Sequence, residues 1–277
     1  MKGQCLWVDL ALIGLRNDKG EPYSPTYLKT INNQITAIFN HAVRFYELKK
    51  NPCHAAGAMG KKHANEMQFW TLEEYQRFAR VIKSGNPELY HAIEVLYWCG
   101  VRLGEMLALT YSDVDLEKKT VRVSKSYQRI KGKDVITDPK THKSNRVIAI
   151  PDALCDELRI FFGMHYVYGK DDRIFSISKH RLYDFMSSGS DKAGVKRIRI
   201  HDLRHSHVSL LIEMGYSAVA IAERLGHESI EITFRYAHLF PTQQTSMADD
   251  LSKMMVSSND REPGSGKVIR FRGRAAR

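Results

Sequence analysis

Cysteine is scarce in this chain. Cys5, Cys53, Cys99 and Cys155 are widely scattered and none forms a Cys-x-x-Cys pair, a usage that suits a reducing cytoplasm. Cys53, His54 and His63 fall close together, yet no second ligand pair stands at zinc spacing, so neither a metal nor a cofactor is expected. No run of about eighteen consecutive apolar residues occurs, which argues against a membrane span. Met1 is not followed by a charged start, an apolar run and a small-residue cleavage site, so no secretory signal is read.

Positive charge, by contrast, is plentiful. The 277 residues are 43% hydrophobic and 26% charged, the composition of one large or two ordinary globular domains, with a formal net charge of +11. Residues 1–63 carry nine Lys/Arg against four Asp/Glu, and residues 261–277 carry six against one. The span between is nearly neutral, but within it residues 118–146 hold ten basic side chains against Asp134 and Asp138. Clustered cations of this kind point to a polyanionic partner such as nucleic acid; the plainer alternative is a solvated basic surface.

Taken in order, the chain opens with the apolar piece CLWVDLALIGL and the turn-like NDKGEPY. Ser24 as N-cap and Pro25 in the first turn then start a helix, with Leu28, Ile31, Ile35, Ile38, Ala42 and Phe45 at three- and four-residue spacing, continuing toward Leu48. Lys29, Asn33 and Arg44 lie largely off that stripe and are candidate contacts to a sugar-phosphate backbone, although a wet helix face explains them as well. Asn51-Pro52 stops the helix, which makes 1–52 a first helical region. Residues 53–70 read as a linker made flexible and positive by Gly57, Gly60, Lys61 and Lys62.

A larger domain is expected over 71–240. Thr71 and Glu74 form a capping-box signal for a helix to about residue 83, and a second helical pattern covers 88–99. The periodicity changes to two from Lys119, where Val121 and Val123 alternate with polar residues, and RVIAI at 146–150 gives another strand. Between them, turn signals at Lys131-Gly132-Lys133 and Asp138-Pro139 make a small, basic, hairpin-rich sheet that carries Arg129, Lys131, Lys133 and Lys143. Pro151 and Asp152 introduce another helix, and a further one is expected over 179–186, with SSGSDKAG breaking its pattern. Residues 241–255 suggest one short helix, and 256–277 a linker and basic tail. The fold class is mainly α with a small antiparallel β-sheet.

The run from Lys196 to Leu239 organises these pieces. His201, Arg204 and His205 open a helix on one face; Ser217 caps a second that ends at Gly226 and His227; a third begins after Ser229 and leads to Tyr236. Arg102 sits in a glycine-flanked turn, where its planar fork can span two phosphate oxygens while Glu105 holds the rear of the fork. A structural Arg102–Glu105 pair is the alternative. A phenol is a weak nucleophile because its reference pKa is about 10, but a cationic phosphate pocket favours the phenolate and neutralises developing charge. His201 and His227 can donate hydrogen bonds or exchange protons, and a lysine can protonate a leaving alkoxide. Attack of Tyr236 on a DNA phosphodiester uses all these roles and needs no metal.

Four stretches, YWCGVRLGEMLAL at 97–109, DPKTHKSNRVIAI at 138–150, HDLRHSHVSLLIEMG at 201–215 and ERLGHESIEITFRYAH at 223–238, together resemble the tyrosine recombinase, or phage integrase, family. The helix at 24–52 is similar to the latter part of that family's core DNA-binding domain. The resemblance implies Arg102 and Arg204 as the phosphate clamp, His201 and His227 as the accompanying histidines, Tyr236 as nucleophile and Lys140 as general acid. Lys143 competes with Lys140, which better matches the family's lysine before threonine. Glu105 and His205 are implied as supporting positions. The resemblance further implies cleavage and rejoining of double-stranded DNA at specific sites through a 3'-phosphotyrosyl intermediate, a homotetrameric synapse, an accessory DNA-bending protein and docking of 241–255 onto a neighbouring protomer. Residues 1–23 show no arm-binding domain, which points to a shortened homologue. A type IB topoisomerase-like enzyme and a helix-turn-helix-like binding protein reading DNA with 201–225 are the alternatives. A metal-dependent nuclease is less attractive because no paired carboxylate motif stands out.

Overall fold

A computed structural model of the chain describes residues 16–18, 20–57, 59–61, 67–138, 144–164 and 169–234, together with 236, 239, 248, 251 and 252. The apolar opening piece and the basic tail of 256–277 lie outside the described residues, as does most of 241–255. The chain divides into two compact units, residues 1–69 and 70–277. No helix among the described residues is long and apolar enough to cross a membrane.

In the first unit, α1 (Pro25–Phe45) starts where expected, with Ser24 accepting from the Tyr27 backbone and proline in the first turn. It ends at Phe45 rather than running on toward Leu48. Leu28, Ile31, Ile35 and Ala42 are half-buried, whereas Ile38 and Phe45 are exposed. The segment read as linker contains a short helix, α2 (Pro52–Ala56), for which Asn51 is the cap. The Asn51 amide also donates to the Thr36 carbonyl at 3.0 Å and to Asn40 Oδ1 at 2.7 Å, which folds α2 back along α1. Gly60, at φ +75°, lies so close to α1 that a Cβ would stand 2.2 Å from the Pro25 carbonyl oxygen.

The second unit is built around α4 (Pro87–Cys99), in which ten residues from Leu89 to Cys99 are buried. A helix this apolar all round belongs in a core. Before it comes α3 (Leu72–Ile82), closed by the capping box of Thr71 and Glu74, and after it the short α5 (Leu103–Ala108). A 3-10 turn then leads to β1 (Val114–Asp115), which pairs with β2 (Thr120–Val123); β2 pairs in turn with β5 (Arg146–Ala149), all antiparallel. Val121 and Val123 point into the core while Arg122 faces out, as their alternation requires. The expected single sheet is in fact two, because among the described residues β3 (Ser126–Ile130) and β4 (Lys133–Thr137) pair only with each other. Lys131 and Gly132 both have positive φ at the hairpin tip, the geometry that lets a two-residue turn follow strand twist.

The remaining helices are α6 (Asp152–Gly163), α7 (Lys179–Ala193), α8 (Asp202–Glu213), α9 (Ala218–Leu225) and α10 (Ile230–Phe234). The helix expected over 179–186 continues through the SSGSDKA run to a left-handed cap at Gly194. Tertiary packing overrides weak local propensity here. Gly189 faces α3, where a Cβ would lie 2.6 Å from Ile82 and 2.7 Å from Phe78, and the Ser190 hydroxyl is absorbed by the Met186 carbonyl at 2.8 Å. A second junction is made by Arg224 on α9, which donates to the Trp98 and Ala149 carbonyls and to His207 Nε2 at 3.1 Å. Accepting from an arginine requires the neutral imidazole, and burial, followed by the charges of Arg224 and Arg204, pushes the His207 pKa down to about 3.

Two stability predictions arise from these contacts. Gly189→Ala gains about 1 kcal/mol of helix propensity, but it forces a methyl group into buried Ile82 and Phe78, which costs about 1–3 kcal/mol. The expected net loss of about 1 kcal/mol is read from urea denaturation, and a stabilised variant would show that α3 and α7 can separate freely. Because the folded His207 pKa lies below the unfolded value, its contribution is present above about pH 6.5 and is lost as pH falls toward 3. Lowering the pH from 7 to 5 is expected to remove about 2 kcal/mol through this residue. His207→Asn should flatten that pH dependence, and an unchanged slope would exclude His207 as its source.

Candidate active site

The turn after α4 sets the first arginine. Gly100 adopts the left-handed cap, φ +63°, and the chain passes directly into α5 with Arg102 at the N-cap position. The Glu105 carboxylate accepts from the Arg102 backbone at 2.9 Å and from its guanidinium at 2.7 Å. On its other side it accepts two bonds from Arg146 of β5, at 2.9 and 3.3 Å. Burial alone would raise the Glu105 pKa, but the hydrogen bonds from Arg146 and the neighbouring cations outweigh it and hold the carboxyl below its ordinary range. Arg102 remains 40% exposed, so one edge of its fork is open to a ligand. A cavity of about 560 Å³ opens there, lined by Arg102, Ser126, Arg129, Ser144 and Lys179 among others.

Arg204 is anchored differently. Its side chain is buried on α8 and donates to the Gly100 carbonyl at 2.7 Å and the Leu225 carbonyl at 2.8 Å. These oxygens terminate α4 and α9, where the partial negative ends of the helix dipoles favour a cation. Burial, then the nearby charge of Arg102, lowers its pKa to about 9, which leaves it charged at neutral pH.

The histidines share this field. His201 stands at the N-cap position of α8 with an exposed edge; the protein around its ring, then the charge of Arg204, lowers its pKa. His227 is buried, with Nδ1 hydrogen-bonded to Thr233 Oγ1 at 2.8 Å, and burial followed by Arg204 and Arg102 pushes its pKa down to about 3. It is therefore neutral near pH 7. Tyr236 is only 4% exposed, and its hydroxyl is hydrogen-bonded to Nδ1 of His205. His205 follows Arg204 directly on α8, so this bond places the tyrosine in the same cluster.

Arg102, Glu105, His201, Arg204, His205, His227 and Tyr236 are thus brought together from α4–α5, α8 and the segments after α9 and α10. Lys140 and Lys143 lie outside the described residues, as does Lys62. Arg129, Lys131 and Lys133 are exposed on the β3–β4 hairpin. In the first unit Asn33, Arg44 and Lys61 are exposed and Lys29 is half-buried. Arg146, Arg224, Asp202 and Thr233 were missed by sequence reasoning. Nothing in their local sequence separates them from ordinary surface or capping residues; what marks them is the pairing of Arg146 and Arg224 with the distant Glu105 and His207, and of Asp202 and Thr233 with the nearby Arg199 and His227.

The cluster can neutralise an oxyanion and hold a phenol beside an imidazole. Residues 68–243 match the phage integrase family. The chain is 33% identical over 247 residues to the ICEBs1 integrase of Bacillus subtilis (strain 168), covering 82% of this chain and 66% of that protein. It is 27% identical to a XerC-like tyrosine recombinase of Caldanaerobacter subterraneus, covering 83% of this chain and 66% of that protein. The fold is similar to that of the Tn1549 transposon integrase in complex with a circular intermediate DNA, with a TM-score of 0.70 and 18% identity over 92% of this chain and 84% of that one. It is also similar to a lambda integrase dimer bound to a core site, with a TM-score of 0.58 and 18% identity over 84% of this chain and 63% of that one. The chain spans about 66% of the length of the first curated relatives it matches. By the matched span and by this identity, the chain belongs to the phage integrase family.

Proposed function

We propose that this protein is a site-specific DNA recombinase that cleaves and rejoins DNA through a 3'-phosphotyrosyl intermediate, in the integration or excision of a phage or mobile element. The observation that carries the reading is the convergence of two arginines, two depressed histidines and one buried tyrosine on a single cluster. Tyr236 Oη attacks phosphorus, the bond to the 5'-oxygen breaks, and Lys140 protonates that oxygen. Arg102 and Arg204 carry the charge on the non-bridging oxygens, and His201 and neutral His227 contribute hydrogen bonds. Glu105 supports both Arg102 and Arg146. The energy of the broken linkage is kept in the tyrosyl ester, so a 5'-hydroxyl from another strand can reseal it.

The proposal extends to the rest of the assembly. Residues 1–52 contribute Lys29, Asn33 and Arg44 to DNA binding, the basic segment after them adds Lys61 and Lys62, and the catalytic domain of 71–240 adds Arg129, Lys131, Lys133 and Lys143 from its hairpin. Four copies join two duplexes with help from an accessory DNA-bending protein, and 241–255 docks onto a neighbouring copy. The setting is the cytoplasm, where the DNA is. Relatives described as integrases of mobile elements, one solved with circular intermediate DNA, support recombination over topoisomerase-like relaxation or non-catalytic binding.

The direct test uses a pool of nicked, random-sequence suicide duplexes from which the broken end cannot be resealed. Wild-type protein is expected to yield denaturant-resistant DNA adducts on Tyr236, and Tyr236→Phe none; adducts of equal yield in the variant would place the nucleophile elsewhere. The general acid is assigned by replacing the 5'-bridging oxygen of a recovered site with sulfur, a leaving group that needs no proton. Lys140→Ala should slow cleavage of the ordinary linkage about 100-fold or more and cleave the sulfur linkage near the wild-type rate. If Lys143→Ala shows that pattern instead, Lys143 is the acid.

A further inference from the structure

The proton on the Tyr236 hydroxyl must leave as the phosphorus–oxygen bond forms, and three histidines surround the cluster. His227 is a poor acceptor: its Nδ1 is engaged by Thr233, and its surroundings strongly disfavour the charged ring. His201 packs edge-on against His205, ring centres 5.0 Å apart, at the open side of the site. His205 is the residue whose Nδ1 is hydrogen-bonded to the Tyr236 hydroxyl, across 31 positions of sequence. Its other ring nitrogen, Nε2, faces Asp202 Oδ1 at 3.8 Å.

Asp202 is set up to hold that ring. Its side chain is buried and cannot swing, because Oδ2 accepts from the Arg199 backbone at 2.8 Å and from Arg199 Nε at 3.1 Å, while Oδ1 accepts from Arg199 Nη2 at 2.8 Å. At 3.8 Å the carboxylate lies beyond direct hydrogen bonding, but its fixed negative charge favours the proton on Nε2, which leaves the Nδ1 lone pair facing the phenol. It also opposes the cost of a second positive charge next to Arg204. The order tyrosine hydroxyl, imidazole, buried carboxylate repeats the logic by which an acidic residue orients a histidine that activates a hydroxyl nucleophile.

We infer that His205 is the general base for Tyr236, with Asp202 as the positioning residue that fixes the imidazole. The inference rests on the reading of Tyr236 as nucleophile. As Oη bonds to phosphorus its proton passes to His205 Nδ1, and the bond to the 5'-oxygen breaks, with that oxygen protonated from Lys140. On resealing, an incoming 5'-hydroxyl attacks phosphorus and gives its proton to Lys140, the bond from phosphorus to Tyr236 Oη breaks, and His205 returns the proton to the departing phenolate. A phenol has a reference pKa of about 10 and an imidazole about 6.5, so transfer before attack is uphill. The proton therefore moves with bond formation, while Arg102 and Arg204 take up the charge.

Single-turnover adduct formation on a suicide duplex recovered with wild-type protein tests this. His205→Ala is expected to slow it about 100-fold or more with DNA binding and melting behaviour retained. His205→Asn keeps an oxygen that can accept from the phenol yet cannot take its proton, and it should be comparably slow. Sulfur at the leaving position should rescue neither variant, in contrast to Lys140→Ala, whereas added imidazole should restore His205→Ala in proportion to its concentration. Asp202→Asn should slow the reaction about tenfold, with rescue by imidazole absent. Wild-type rates in His205→Asn, rescue by sulfur or failure of imidazole to rescue would each overturn the assignment while Tyr236 stays the nucleophile. If wild-type protein forms no Tyr236 adduct, the parent reading fails, and this inference with it.

Discussion

Arg204 is a cation in a place with almost no water, and that single circumstance shapes its surroundings. An unpaired charge removed from solvent costs several kcal/mol, so the guanidinium persists only where partners are fixed in advance. Here the partners are the last carbonyls of α4 and α9, brought to the same point by two glycine caps at Gly100 and Gly226, both in the left-handed region. Gly100 has a second reason to be glycine, since a Cβ there would lie 2.5 Å from the His207 ring and 2.8 Å from Leu225. The helix lengths, the caps and the small residue are therefore parts of one solution. It is a solution for holding a positive charge still.

The second arginine is held on the opposite principle. Arg102 is partly exposed and is positioned by a carboxylate rather than by carbonyls, and that carboxylate is shared with the nearly buried Arg146. One negative charge between two cations leaves a local surplus of positive charge, which adds to burial, the larger cause, in lowering the pKa values of His201 and His227. In the proposed reaction two charged histidines would repel the arginines beside them, whereas neutral rings can still donate hydrogen bonds to phosphate oxygens. The proposal thus separates two tasks, charge from the arginines and directional bonding from the histidines.

Much of the fold was legible because its signals are local. Ser24-Pro25, Thr71 with Glu74, Ser217 and Gly226 act within one turn of chain, and each fixes a helix end where the spacing places it. The family motifs made Arg102, Arg204, His227 and Tyr236 legible as a group. What stayed hidden depends on partners far along the chain. The SSGSDKA run is a poor helix by propensity and is helical because Gly189 lets α7 lie against Phe78 and Ile82. The α2 helix is short and was read as linker, since its stability comes from Asn51 reaching back to Thr36 and Asn40. Arg146 and Arg224 look like any basic residue until Glu105 and His207 are placed beside them.

Arg224 bonds to Trp98 across 126 residues and to Ala149 across 75, and Arg204 reaches Gly100 across 104. Loop-closure entropy makes contacts of such separation late to form. Among the described residues, the helices of the first unit are held by bonds closer in sequence, such as Asn51 to Thr36, fifteen residues apart, and Lys61 to Pro25, and these can form early during synthesis. On the proposed function, an emerging polypeptide would then acquire its grip on DNA well before its ability to break it, so that cutting power arrives only in molecules that have finished folding.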